Sequence, residues 1–264
     1  MTRRTVGRVV LQAVVPVALV GAWWSASRHS TSYLNPPLAE IVDRLREDWL
    51  SARMNSDVLP SLGRFAAGYL VAATIGVAAG TLIGLVPWLR RCTQPLTEFV
   101  RSVPPPLLFP FALVLFGVGD DSKVALIALG SVWPVLLNTV DGVRSVDPEI
   151  LDVARSFRIR GWMRVKRIVV PAASPKIIAG LRVALSVALL LMVVSEMQGG
   201  TNGVGFRIRY AQRSFDTADA YAGVIVIGVV GFAVNLLFLA AESRLMRWHR
   251  GARGVLEETR RPTG

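Results

Sequence analysis

Five polar side chains stand inside or at the rims of long apolar stretches: Glu98, Arg101, Asn138, Ser195 and Glu196. A charge near a bilayer centre costs about 2.5–3.5 kcal/mol on insertion scales, so such groups are expected to face a cavity, a partner or the interface. A carboxylate, a guanidinium, an amide and a hydroxyl in that setting suit the holding or gating of a solute, and no nucleophile–base arrangement accompanies them. One cysteine, Cys92, and two distant histidines, His29 and His249, provide no ligand set, so no metal is expected. The glycine-rich run 199–205 looks like a phosphate loop but lacks the strand–loop–helix setting, and no Gly-Lys-Ser/Thr follows it. It is expected to be an exterior turn. Without a Walker A sequence, the chain is not expected to hydrolyse ATP itself.

Two readings compete at each candidate. Glu196 either lines or gates a pathway, or is a hydrated carboxylate beside the Gln198-Gly199-Gly200 exit. Glu98 and Arg101 either border a pathway or form an i,i+3 ion pair at the interface. Pro104, Pro105, Pro106 and Pro110 either break the helix beside a cavity or only bend it.

A second chemistry is concentrated in residues 152–171, which hold six cations and one acid. Upstream, Asp147 suits a helix N-cap, Pro148 the first helical position and Glu149 the positive end of the helix dipole. Ile150, Val153, Ala154 and Phe157 then share one face, with Asp152, Arg155 and Ser156 away from it. Gly161 can turn the chain, and residues 162–170 read as a second short helix closed by Pro171. A helix–turn–helix of about 25 residues exceeds what a connection needs. It is either a basic loop on anionic headgroups or a docking surface for a cytoplasmic partner.

The elements around these residues are membrane spans. The chain of 264 residues is 52% hydrophobic with a mean hydropathy of +0.47, and its apolar residues gather in stretches 9–25, 65–88, 96–118, 124–140, 177–197 and 220–241. About 20 apolar residues cross a bilayer, so an all-α polytopic membrane protein with about six transmembrane helices is expected. The net charge of +12 falls between spans rather than in a nucleic-acid-binding patch. Residues 1–8, 87–101, 141–182 and 244–264 carry 21 of the 30 Lys and Arg residues, which places both termini and the basic insert in the cytoplasm. The stretch after Trp23-Trp24 makes a poor cleavage site, so the first span is expected to be retained.

Three regions follow. Residues 1–62 hold the first span and an exterior linker whose amphipathic helix lies on the membrane or on the bundle. Residues 63–245 are the core, with the cytoplasmic loop at 147–171. Residues 246–264 are a basic tail facing lipid headgroups. Within the core, Gly68, Ala72, Gly76, Gly80 and Gly84 repeat at every fourth position and should admit a neighbouring helix closely.

Asp152-Val153-Ala154, followed by Ile168-Val169-Val170-Pro171, resembles the signature loop of binding-protein-dependent ABC importer permeases, in which Glu-Ala-Ala and a glycine precede an apolar-Leu-Pro ending. The likeness extends over residues 55–245, and Val103-Pro104-Pro105 and residues 141–147 are similar to the nitrate/sulfonate/taurine type. Asp152 and Val153 depart from the pattern. Arg158 occupies the usual glycine position, with Gly161 three residues later, which suggests a later turn.

The resemblance implies a type I permease fold and a transmembrane subunit of an ATP-driven importer in the bacterial inner membrane. Its partners would be a cytoplasmic ABC ATPase pair carrying ATP and magnesium, an extracytoplasmic solute-binding protein and a second permease copy. Ile150, Asp152, Ala154, Arg155, Gly161 and Pro171 would form the ATPase-coupling element. Similar permeases carry an acidic residue at the Glu196 position; for an anionic solute, a structural or gating role suits that carboxylate, and Arg101 could attract the anion. Sulfonate, taurine and nitrate lead as solutes, with pyrimidine-type cofactor precursors as the alternative. The rival function is a self-energised secondary carrier or channel, which would have no use for the docking insert.

Overall fold

The computed structural model describes residues 3–28, 30, 32 and 34–246, with side chains described from residue 14 onward except at residue 52. Apart from Met246, the expected basic tail lies outside the described residues. The regular elements described are all helical: α1 (Arg3–Ser27), α2 (Leu38–Arg44), α3 (Leu59–Leu85), α4 (Pro87–Ser102), α5 (Phe109–Phe116), α6 (Asp120–Arg144), α7 (Pro148–Ser156), α8 (Gly161–Arg164), α9 (Val170–Gly199), α10 (Val204–Arg213) and α11 (Thr217–Leu245). π-Helical turns connect α2 to α3 and α8 to α9.

Four helical stretches are long and apolar enough to cross a bilayer: Met54–Leu85, Asp120–Arg144, Gly161–Gly199 and Thr217–Leu245. The described apolar part of α1, Val14–Ser27, is shorter. The stretch expected as a third span is a broken pair, with α4 and the segment Pro105–Phe116 meeting at 90°. The chain is extended at Val103 and Pro104, because three consecutive prolines remove the N–H groups that would continue α4. Among the described residues, four stretches, or five with the bent pair counted as one, are thus long and apolar enough to span, close to the expected number of about six.

The small-residue face of α3 packs against α6. A Cβ at Gly76 would come within 2.7 Å of Val135 Cβ, and one at Gly80 within 2.7 Å of the Leu136 carbonyl oxygen. The second seam, between α6 and α9, uses the same device: a Cβ at Gly180 would lie 2.7 Å from Asn138 Cβ. Close backbone approach is how helices pack when lipid supplies no hydrophobic drive. Helices α3, α6 and α9 therefore form the packed centre, with Leu126, Ile127, Ala188 and Leu191 in its core.

The exterior linker lies on the helix bundle. Ile41 and Trp49 are fully buried against α10 and α11, and the indole Nε1 of Trp49 donates to Asp219 Oδ1 at 2.9 Å. Arg53 pairs with Asp219 and stacks on the Trp49 ring at 5.3 Å. Arg44 reaches Asp216 at 3.4 Å.

Pro171 does not close a short helix as expected; it stands in the first turn of the 30-residue α9. The π-helical turn Val165–Val169 carries the chain from α8 into α9 without a stop, and the fixed φ of Pro171 suits the start of α9.

Candidate functional site

At one end of the bundle, the outer turns of α3, α6 and α9 and the start of α10 converge on Glu196. Its side chain is fully buried. Arg64 Nη1 donates to Glu196 Oε1 at 2.7 Å, Ser61 Oγ lies 2.7 and 2.9 Å from the two carboxylate oxygens, and the Gly205 amide donates to Oε2 at 3.0 Å. Arg64 Nε also donates to Asp120 Oδ1 at 2.7 Å, and Arg64 Nη1 to the Asn202 carbonyl at 3.3 Å. Lys123, itself buried, reaches Asp120 at 3.4 Å. Asp57 accepts from the Gly203 amide at 2.8 Å, and Ser61 accepts from the Val204 amide at 3.0 Å.

The glycine-rich run is the lid of this cluster. Gly203 has φ +109°, and a Cβ there would stand 2.5 Å from the Glu196 carboxyl carbon. Only glycine allows the backbone to wrap the carboxylate this closely. Ser195 is buried beside it, but its hydroxyl donates within α9 to the Met192 carbonyl at 2.8 Å. Sequence reasoning missed Asp57, Ser61, Arg64, Asp120 and Asn202. A signal existed for three of them: positions 57, 61 and 64 recur at helical spacing on one face at the entrance to an apolar span.

The break between α4 and α5 opens a cleft of about 470 Å³. Arg101 and Asn138 supply polar groups, and Pro105, Trp133, Val187 and Leu190 much of the apolar wall. Glu98 lies outside it. With Arg101 it lines a neighbouring cleft of about 210 Å³ together with Arg90, Asp141 and Arg144. Among the described residues Glu98 and Arg101 form no ion pair with each other, so their proximity in sequence is not a local charge pair. Glu196 and Ser195 do not line this cleft.

The basic insert is at the opposite end, between α6 and α9. Asp147 caps α7 as expected, accepting from the Glu149 amide at 2.9 Å. The expected shared face is divided: Ala154 is buried, while Ile150, Val153 and Phe157 point outward, Phe157 with 76% exposure. Asp152 and Arg155 form an exposed ion pair at 3.1 Å. Trp162 and Met163 are also exposed and, with Arg160, Lys166 and Arg167, border an open concavity of about 600 Å³.

The turn between α7 and α8 begins earlier than the glycine position suggests. Arg158 has φ +56°, its amide donates to the Arg155 carbonyl at 2.9 Å, and the Ile159 amide donates to the Ala154 carbonyl at 2.9 Å. These are the two hydrogen bonds of a Schellman helix end, with arginine at the position that favours glycine. Gly161, at φ +57°, makes a second turn into α8.

A helical bundle broken beside a cleft, with a hydrophilic helix pair inserted between two spanning helices, defines a multi-span membrane protein. Residues 72–249 match the family of binding-protein-dependent transport system inner membrane components, and the chain belongs to that family. It is therefore an ABC importer permease subunit, not an enzyme.

Among its relatives, a Bacillus subtilis permease protein named for aliphatic sulfonates transport is 31% identical over 244 residues, covering 91% of this chain and 88% of the relative. The taurine transport system permease protein of Escherichia coli is 29% identical over 250 residues, covering 92% and 90%. The bicarbonate transport system permease protein of Synechococcus elongatus is 36% identical over 178 residues, covering 67% and 64%. A chain of the inward-facing MetNI methionine ABC transporter has the same fold, with a TM-score of 0.66 at 14% identity over 76% of this chain and 99% of that one.

Proposed function

We propose that this permease moves a small anionic solute by alternating access, driven by ATP hydrolysis on a separate cytoplasmic ATPase pair that holds ATP and magnesium. An extracytoplasmic solute-binding protein delivers the solute, two permease copies enclose the pathway, and both termini face the cytoplasm. The observation that carries this reading is the exposed apolar surface of α7 and α8. Phe157, Trp162 and Met163 stand outward among arginines on a loop whose charge keeps it out of the membrane. Large apolar side chains at a water-facing, cationic surface suit a protein partner.

The connection inward is mechanical. Helices α7 and α8 lie between α6 and α9, whose close seam at Gly142 and Gly180 carries a displacement of the pair into the spans as a unit. The cleft at the helix break is the solute route. Among the described residues Arg101 is the one ionisable group of its lining and Asn138 a further polar one, against largely apolar walls. That combination favours an anion with an apolar portion, which agrees with relatives named for aliphatic sulfonates and taurine.

The test is purification from native membrane in mild detergent with assay of ATP hydrolysis. A stoichiometric P-loop ATPase, lost when residues 150–170 are scrambled, is the expected result. Transport in ATP-free vesicles by a permease that never retains an ATPase would overturn the reading in favour of a secondary carrier.

A further inference from the structure

A second helix ends on a bulky residue in the left-handed region, at the end of the molecule opposite α7. Phe215 has φ +58° and follows α10 in the same Schellman arrangement as Arg158: its amide donates to the Gln212 carbonyl at 3.4 Å, and the Asp216 amide to the Ala211 carbonyl at 2.9 Å. Left-handed backbone is disfavoured for any side chain with a Cβ, and a bulky aromatic there is an outlier. Burial does not compensate, because the ring is 73% exposed. Strain of this kind persists where the residue serves something outside the local fold.

The ring borders an open polar notch of about 520 Å³, whose other walls include Pro37, Glu40, Ser214 and Asp216. Asp216 is committed, since it caps α11 by accepting from the Asp219 amide at 3.1 Å and pairs with Arg44. Glu40 is not: among the described residues it has neither a hydrogen bond nor an ion pair. Asp43 and Glu47 are exposed and follow Glu40 at i+3 and i+7; with the exposed Arg46 between them, this stretch is net negative, and among the described residues none of the three forms an ion pair. A rigid exposed aromatic beside a concavity edged by one unpaired carboxylate, Glu40, is the composition of an interface anchor.

We propose that Phe215 and the Glu40 notch are a docking point for the extracytoplasmic solute-binding protein, engaging a loop that presents an apolar contact and a Lys or Arg side chain. This rests on the importer reading above, which places α2 and the α10–α11 corner outside the membrane.

The test uses the assembled transporter in lipid nanodiscs, with the solute-binding protein whose addition raises its ATP hydrolysis. Phe215→Gly and Phe215→Asn both accept left-handed backbone, so thermal stability should hold or rise. The concentration of binding protein giving half-maximal stimulation should increase about tenfold or more, with basal hydrolysis unchanged. Glu40→Lys should act in the same direction, and Phe215→Trp should restore much of the response. A photoreactive phenylalanine analogue at Phe215 should cross-link to that binding protein. Unchanged stimulation in both Phe215 variants, or cross-links to lipid alone, would overturn the docking proposal while leaving the importer reading intact. A wild-type complex that no binding protein stimulates would overturn both.

Discussion

Around Glu196 the buried charges are answered within the chain, whereas the surface of α7 and α8 leaves both charge and apolar area unanswered. Glu196 is 0% exposed and receives donors from Arg64, Ser61 and Gly205. At the other end, Phe157 and Trp162 project outward and, among the described residues, Arg155 pairs only with Asp152 of its own helix. A satisfied buried network fixes one arrangement of its elements; an unsatisfied exposed surface is completed by something else. The first end is a finished joint between α3, α6, α9 and α10. The second is the surface proposed above to meet the ATPase.

Exchanging charge at the two ends should therefore have opposite consequences. Removing one partner of a buried ion pair leaves the other uncompensated, at a loss of about 3–5 kcal/mol. Glu196→Ala or Arg64→Ala should accordingly abolish most folded protein in detergent, measured by fluorescence-detected size exclusion after a heating series. Phe157→Asp, on an exposed position, should shift stability by no more than about 0.5 kcal/mol while lowering the ATPase retained on purification about tenfold or more. Wild-type melting of Glu196→Ala would show that the cluster is not a joint.

The seams that join the two ends can be broken separately. Gly80→Val places methyl groups where the Leu136 carbonyl and Thr139 already sit 2.7 Å from an added Cβ. Overpacking of this kind costs about 1–3 kcal/mol, and if α3 and α6 move as one unit it should also reduce transport per ATP hydrolysed. A Gly80→Val protein with unchanged melting and coupling would mean that the seam is looser than its geometry.

How much of this was legible in the sequence follows from the range of each interaction. Four of the spans, the small-residue face of α3 and the Asp147 cap are local patterns, and each is where its residues point. The broken third span was half legible: the prolines announced an interruption, but neither the 90° angle nor the approach of Pro105 to Gly130 of α6 is encoded in any local pattern. The Glu196 cluster was legible in one residue only. Its other members come from positions 57 to 64, 120 and 202, which only the fold brings together; the helical spacing of 57, 61 and 64 marked a polar face but not the carboxylate it would meet. Burial of Ala154 with exposure of Val153 and Phe157 was hidden for a related reason. Periodicity groups residues onto a face but does not say which side of that face the rest of the chain covers.

The smallest effect gives the sharpest test of whether the α7–α8 end is a docking surface. Arg158 holds left-handed backbone, which costs a residue with a Cβ about 1–2 kcal/mol. Glycine would remove that cost but gain about 0.4–1 kcal/mol of unfolded-state freedom. Arg158→Gly should therefore stabilise the protein by about 0.5–1 kcal/mol, visible as a melting midpoint raised by roughly 1–4 °C. If arginine stands there because its guanidinium meets the ATPase, the stabilised variant should nonetheless retain less ATPase and show weaker coupling of hydrolysis to uptake. A variant that is both more stable and fully coupled would make Arg158 a tolerated defect of the α7 end, leaving Phe157, Trp162 and Met163 to carry the contact. A variant that is less stable would mean that the arginine makes compensating contacts at home, and that this end of the molecule is more nearly finished than its exposure suggests.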